Sequence, residues 1–171
     1  MKKLGYIFLF CLLLACSDKK NQSNSINWVK IEGDKFQFGS KKGKENEKPE
    51  VPVRVKDFKI SSSEISVGQF HEFAIKTSYQ TQAEKNGYSS IFKNGEWKEE
   101  KNLSYLNPNG ENQEFELIKD WPAVHISFDD AQAYCKWKKG RLPSEIEMEF
   151  LMERSQQKKN EYLVGRFSRY E

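Results

Sequence analysis

The spacing of hydrophobic and polar residues changes several times along this chain, and each change predicts an element. Val29 and Ile31 alternate with polar neighbours, as do Phe36 and Phe38 around Gly33-Asp34, so two short strands joined as a hairpin are predicted. After the charged loop KKGKENEKPE, Val51, Val53 and Val55 alternate again before Phe58 and Ile60. Pro52 places that half-buried strand at an edge or a strand start, because proline cannot donate to a ladder. The period then lengthens. Val67, Phe70, Phe73 and Ala74 keep to one helical face behind Ser66 and Gln69, a capping-box pair. That helix ends near Thr77-Ser78-Tyr79, and TQAEKNG predicts a short helical turn stopped at Gly87. From Ser89 to Asp120 the chain is polar, with Trp97, Tyr105 and Phe115 as scattered anchors. It reads as long loop with one hairpin turning at Asn94-Gly95.

The stretch from Trp121 to Phe150 is the densest in signals. AVHISF predicts a short buried strand. Ser127 and Asp130 cap a helix on which Phe128, Ala131, Tyr134 and Cys135 share a face. Gly140 is expected to stop it in the left-handed conformation, which requires no Cβ. Arg141-Leu142-Pro143 turns the chain. Ser144 and Glu147 cap a second helix, whose buried stripe is Ile146, Phe150 and Leu151.

The first residues follow a different logic. MKK is a basic start, LGYIFLFCLLLA an apolar run too short to span a bilayer as a stable helix, and Cys16 follows at LLAC. The segment resembles a bacterial lipoprotein signal: residues 1–15 are cut away, Cys11 with them, and the Cys16 thiol takes the diacylglycerol. An ordinary secretory signal with an incidental cysteine is the alternative. Residues 16–27 then form the lipidated cysteine and a polar tether, residues 28–154 the domain, and residues 155–171 a polar tail. Ser17, where an aspartate is absent, resembles lipoproteins sorted onward, so the expected location is the cell envelope, lipid-anchored at the outer membrane and facing the periplasm. The membrane is therefore one partner, and a second envelope protein is another.

Composition narrows the function. The 171 residues suit one domain with a real core, and 13% aromatic content argues against a disordered chain despite a mean hydropathy of −0.83. Lys and Arg number 28 against 25 Asp and Glu, and Lys2 and Lys3 fall in the removed segment. The mature chain is nearly neutral, with no reason to bind nucleic acid. Candidate chemistry is sparse. Cys135 sits mid-helix on an apolar face, where a thiol acts as a small hydrophobe. His71 and His125 show no metal-ligand spacing, and His125 reads as a hydrogen-bonded core histidine. Asp129, Asp130, Glu145 and Glu147 complement helix starts. Arg141 fixes a turn through charge-assisted hydrogen bonds. Trp28, Trp97, Trp121 and Trp137 could line a groove or anchor the core.

Two blocks carry a family resemblance. Glu64, Gln69-Phe70, Phe73, Thr81-x-Ala83-Glu84 and Gly87 form the first. Pro122-x-Val124-x-Ile126-Ser127, Asp130-Ala131, Ala133-Tyr134-Cys135 and Arg141-Leu142-Pro143-Ser144-Glu145 form the second. Together they resemble the formylglycine-generating enzyme family, the sulfatase-modifying factors, from Trp28 to Met152. The resemblance implies an α+β fold related to C-type lectins, with much irregular structure, shortened here at its C-terminal side. Family enzymes oxidise a sulfatase cysteine with oxygen and copper, and relatives serve as lipid-anchored structural parts of bacterial envelope machinery. The family's later motif, calcium loops and copper-binding cysteine pair have no counterpart in RSQQKKNEYLVGRFSRYE. Soft Cu(I) wants paired thiolates, and only Cys135 lies in the folded part. No catalytic residue, cofactor or metal ligand is therefore assigned. In some family enzymes the cysteine matching Cys135 is disulfide-bonded to one near the C-terminus. The expected role is non-catalytic binding or scaffolding. Its rivals are the N-terminal part of an active formylglycine-generating oxidase and a relic that does not fold stably.

Overall fold

A computed structural model describes residues 25–158. Cys16, the signal segment and most of the tether lie outside the described residues, as does the polar tail from residue 159 onward.

Strands β1 (Trp28–Ile31), β2 (Lys35–Phe38), β3 (Val51–Arg54) and β4 (Phe58–Ser61) come first. The predicted β1–β2 hairpin does not form. Instead β1 pairs antiparallel with β4 and β2 with β3. The register carries through both halves: Ile31 faces Phe58, and four residues further along the ribbon on each strand Lys35 faces Arg54. The four strands are thus one long ribbon with an irregular waist. Gly33 explains the waist, because a Cβ there would lie 2.1 Å from the Val55 carbonyl oxygen. The chain passes straight through this contact rather than turning back. Val55 N donates to Asp34 O at 2.9 Å, and Gly33 N to Asp57 Oδ1 at 3.0 Å.

Helix α1 (Val67–Thr77) begins where predicted. Ser66 Oγ accepts from Gln69 N, and Gln69 Oε1 accepts from Ser66 N, which satisfies two donors the helix start leaves open. Helix α2 (Gln82–Asn86) is capped the same way by Thr81 and Glu84 and stops at Gly87, φ 74°. The region read as loop holds more order than its composition predicts. Strands β5 (Tyr88–Lys93) and β6 (Glu96–Lys101) form a hairpin through Asn94 and Gly95, both at positive φ as a type I′ turn demands. Helix α3 (Phe115–Ile118) follows. Leu103, Tyr105 and Ile118 from this region are fully buried.

The strand expected at AVHISF is absent. Val124 is exposed, and His125 takes φ 57°, which no strand residue does. The segment keeps only a bridge from Pro122 to Ser66 and a bond from Ala123 N to Ile65 O. Helix α4 (Phe128–Trp137) starts at the predicted Ser127 cap, although Phe128 itself points to solvent at 69% exposure. Its end departs from expectation. Lys139, not Gly140, takes the left-handed position with φ 59°. Gly140 N then closes onto Cys135 O at 2.8 Å, a Schellman-type stop in which the glycine's own φ is ordinary. Helix α5 (Glu145–Lys158) completes the described chain.

Two cores hold these elements. Val67, Phe70, Phe73 and Ala74 of α1 pack with Tyr105, Ile118 and Tyr134. Phe36 and Val55 of the ribbon pack with Phe150 of α5, the Phe36 and Phe150 rings 5.3 Å apart. No helix among the described residues is long and apolar enough to cross a membrane.

Candidate binding groove

An open groove of about 1090 Å³ lies between the β5–β6 hairpin and the segment from Trp121 to Ser127, with Val67 and Ala83 at its base. The fold makes it concave for a local reason. His125 ties three segments together: Nδ1 meets Ser89 Oγ at 3.0 Å, and Nε2 meets Pro108 O at 2.9 Å. With Nε2 carrying the proton towards the carbonyl, Nδ1 accepts from the Ser89 hydroxyl. This double bond-making is what the positive φ of His125 serves, and both rims are held at a fixed separation by it.

The other rim depends on Asp130. Its carboxylate is 1% exposed and accepts from Tyr79 Oη at 3.0 Å, Gln82 N at 3.1 Å, Ser127 N at 2.8 Å and Ser127 Oγ at 2.7 Å. The donors come from the α1–α2 link and from the starts of α2 and α4, so two helix N-termini converge on one anion. Burial, and then this carboxylate, push the Tyr79 phenol up to about 12, which keeps it a donor. Gln82 and Ser127 both line the groove, so Asp130 shapes a wall it does not reach.

The lining is aromatic and lacks cations. Phe92 and Trp97 stand opposite each other on the hairpin, their rings 5.4 Å apart, and are 57% and 72% exposed. Trp121 faces the same space. Among the described residues Glu64 and Asp120 are its carboxylates, and no Lys or Arg lines it. Exposed aromatic faces beside carboxylates and amides suit an extended ligand that is apolar or cationic.

A second, smaller cleft of about 320 Å³ opens between β4, α4 and the start of α5. Here Arg141 donates from Nη1 and Nη2 to the two oxygens of Glu147 at 2.7 and 2.6 Å, and also to Leu142 O, which fixes the turn as the sequence predicts. That guanidinium holds the Glu147 carboxyl down at about 2. Cys135 lines this cleft. It is half-buried and unpaired, and desolvation raises its pKa, the opposite of an activated thiol.

The remaining sequence candidates divide between these places. Trp97 and Trp121 line the groove, Trp28 the cleft, and Trp137 packs on Phe73 and Tyr134. His71 meets Tyr105 Oη at 3.1 Å and serves the core. Asp129 and Glu145 are exposed at helix starts. Among the described residues no three His, Cys, Asp or Glu side chains gather as a metal site, and one half-buried thiol does not fit the thiolate pair that Cu(I) requires. Trp97 and Trp121, two of the four tryptophans that could line a groove, do line this one, whereas its rims are brought together by residues far apart in the chain, such as His125 and Ser89. Glu64 stands out in the sequence only through the family resemblance, and Gln82 and Phe92 carry no signal that separates them from solvated surface.

The sequence has recognisable relatives among known proteins. The chain matches the sulfatase-modifying factor enzyme 1-like domain over residues 15–170. It is 32% identical over 145 residues to the inactive C-alpha-formylglycine-generating enzyme 2 of Bos taurus, covering 74% of this chain and 48% of that protein. To the formylglycine-generating enzyme of Bos taurus it is 30% identical over 123 residues, covering 62% of this chain and 33% of that one. A solved structure of PvdO from Pseudomonas aeruginosa superposes with a TM-score of 0.47 at 17% identity, covering 68% of this chain and 40% of that one. The chain thus spans less than half the length of the curated relatives it matches here. It belongs to the formylglycine-generating enzyme, or sulfatase-modifying factor, family.

Proposed function

We propose that this protein is a lipid-anchored binding component of the cell envelope, held through Cys16, which uses the aromatic groove to engage a partner and carries out no cysteine oxidation. The observation that carries the reading is the separation of groove and thiol. The groove is lined by Phe92, Trp97, Trp121 and His125 without a cysteine, while Cys135 sits in the other cleft with its pKa raised. Binding chemistry and thiol chemistry do not meet in the described chain. Similarity to a relative named as an inactive formylglycine-generating enzyme supports the same direction. A second reading, the N-terminal part of an active oxidase, is favoured by the 33% share of the named formylglycine-generating enzyme that the chain spans. Downstream DNA that continues with the family's copper-binding cysteines would select it.

One preparation tests the proposal. The protein expressed in a Gram-negative host is expected to carry acyl mass on Cys16, which Cys16→Ala abolishes, and to leave a sulfatase-motif cysteine peptide unmodified when supplied with copper and oxygen. Soluble, unacylated protein would end the anchor reading. Formylglycine above a protein-free control would end the non-catalytic one.

A further inference from the structure

The smaller cleft differs from the groove in charge and in its place along the chain. Among the described residues Lys59, Lys138 and Arg141 line it with one lining carboxylate, Glu147, which Arg141 engages; Lys138 also lies 3.9 Å from Glu72, outside the lining, so Lys59 is the lining cation with no carboxylate shown beside it. Trp28 is among the residues lining it and is 49% exposed. Ribbon geometry gives this face its character. Ile31 and Phe58 turn inward onto the Phe36–Val55–Phe150 core, so Trp28, Lys30, Lys59 and Ser61 share the outward side. Lys30 and Lys59 are directly opposed, a like-charged pair that costs folding energy. Lys30 is partly relieved by Asp57 at 3.2 Å. Lys139 is exposed and stands in the chain between Lys138 and Gly140, both of which line the cleft.

The chain enters the domain at this face. Ile26 lines the cleft and packs against the α1 core, and Asn27 O accepts from Ser62 N at 2.8 Å. Cys16 lies nine residues before Ser25. At full extension that stretch spans about 30 Å, so an anchor at Cys16 confines this face to the neighbourhood of the bilayer.

We propose that the face formed by Trp28, Lys59, Lys139 and the mouth of the cleft docks on an anionic phospholipid surface. The proposal rests on the anchor reading for its biological setting and on the charge distribution for its physics. Tryptophan favours the headgroup region, where its ring is half-solvated and its N–H stays bonded. Exposed lysines are drawn to the negative surface potential within a Debye length. The groove, with Glu64 and Asp120 and no cation, is repelled by the same surface and is left to its partner. A weak contact suffices, because a short tether raises the local concentration of the bilayer.

The test uses the chain from Ser17 onward, which retains every described residue and carries no lipid. Sedimentation with vesicles of phosphatidylglycerol and phosphatidylcholine at low salt is expected to bring the protein down. Phosphatidylcholine alone, or high salt, is expected to release it. Lys59→Glu with Lys139→Glu should lower the bound fraction about ten-fold or more, and Trp28→Ala should lower it several-fold. Lys93→Glu with Lys98→Glu, on the hairpin, should leave it unchanged. Equal binding to both vesicle types, no binding at low salt, or an equal loss in the hairpin variant would overturn the proposal. Acyl mass on Cys16 is measured separately in cells, so failure of the anchor and failure of the docking face are distinguishable.

Discussion

Asp130 and Glu147 occupy the same station in two successive helices. Each is the third residue after a capping serine, each returns a bond to that serine's backbone N–H, and each is buried. Asp130 stabilises the wall of the groove and Glu147 the wall of the cleft. Their surroundings differ. Asp130 is held by neutral donors from three segments, with no cation on it. Glu147 is held by the Arg141 fork, and Arg141 is 65% exposed. The first arrangement depends on the placement of its donors, and the second depends on charge. A shift in packing should therefore damage the groove, and a change in pH should damage the cleft.

The largest expected effect is at Asp130. Asp130→Ala leaves Tyr79 Oη, Gln82 N, Ser127 N and Ser127 Oγ, all in part-buried bonds, without their acceptor. A cost of about 2–4 kcal/mol is expected from several part-buried donors losing their shared acceptor. Chemical denaturation measures it directly. Glu147→Ala, which strands an exposed arginine and one backbone N–H rather than donors from three segments, should cost distinctly less. Equal losses at the two sites would erase the proposed difference between them.

Next in size is the pH dependence of the cleft. The Glu147 carboxyl is lowered from 4.5 to about 2 in the folded chain by Arg141 and the Ser144 backbone. A depressed folded value means stability fully present above about pH 4.5 and lost as the pH falls towards 2. The window is worth about 1–3 kcal/mol, towards the low end because water screens the exposed arginine. Glu147→Gln should be less stable at neutral pH and should flatten this part of the stability–pH curve. Asp57 and Glu72 are also lowered and titrate in both proteins, so the difference curve isolates Glu147. Parallel curves for the two proteins would show that charge does not hold this turn.

How far the sequence reveals this molecule depends on the range of each interaction. The caps at Ser66, Ser127 and Ser144 were legible because a capping box joins residues three apart. The one-sided burial of Val67, Phe70, Phe73 and Ala74 was legible because helical periodicity records it. The ribbon was not. Gly33-Asp34 resembles a hairpin turn, yet its glycine is required by contact with Val55, a neighbour no local pattern reveals. AVHISF alternates like a strand, but His125 is bent to positive φ by bonds to Ser89 and Pro108. The groove's rims were not legible for the same reason: they are fixed by His125 and Asp130, through partners dozens of residues away. The Arg141 turn was recovered through both its chemistry and the family pattern. The anchor at Cys16 was read from the signal segment and awaits its own test.

The smallest effect concerns the link between the two capped helices, and it sharpens the comparison by separating the turn from the carboxylates it connects. The sequence points to Gly140 as the residue needing left-handed freedom, whereas Lys139 carries φ 59°. A residue with a Cβ is strained there by up to about 1 kcal/mol relative to glycine. Lys139→Gly should therefore stabilise the chain by several tenths of a kcal/mol, less the greater freedom glycine gives the unfolded chain. A Cβ at Gly140 would meet only Cys135 O, at 3.8 Å, an ordinary contact. Gly140→Ala should be neutral within about 0.5 kcal/mol. Thermal melts of the pair decide the matter. A clear loss for Gly140→Ala with none gained for Lys139→Gly would mean that the glycine, and not the lysine, sets the angle at which the groove helix hands over to the cleft helix.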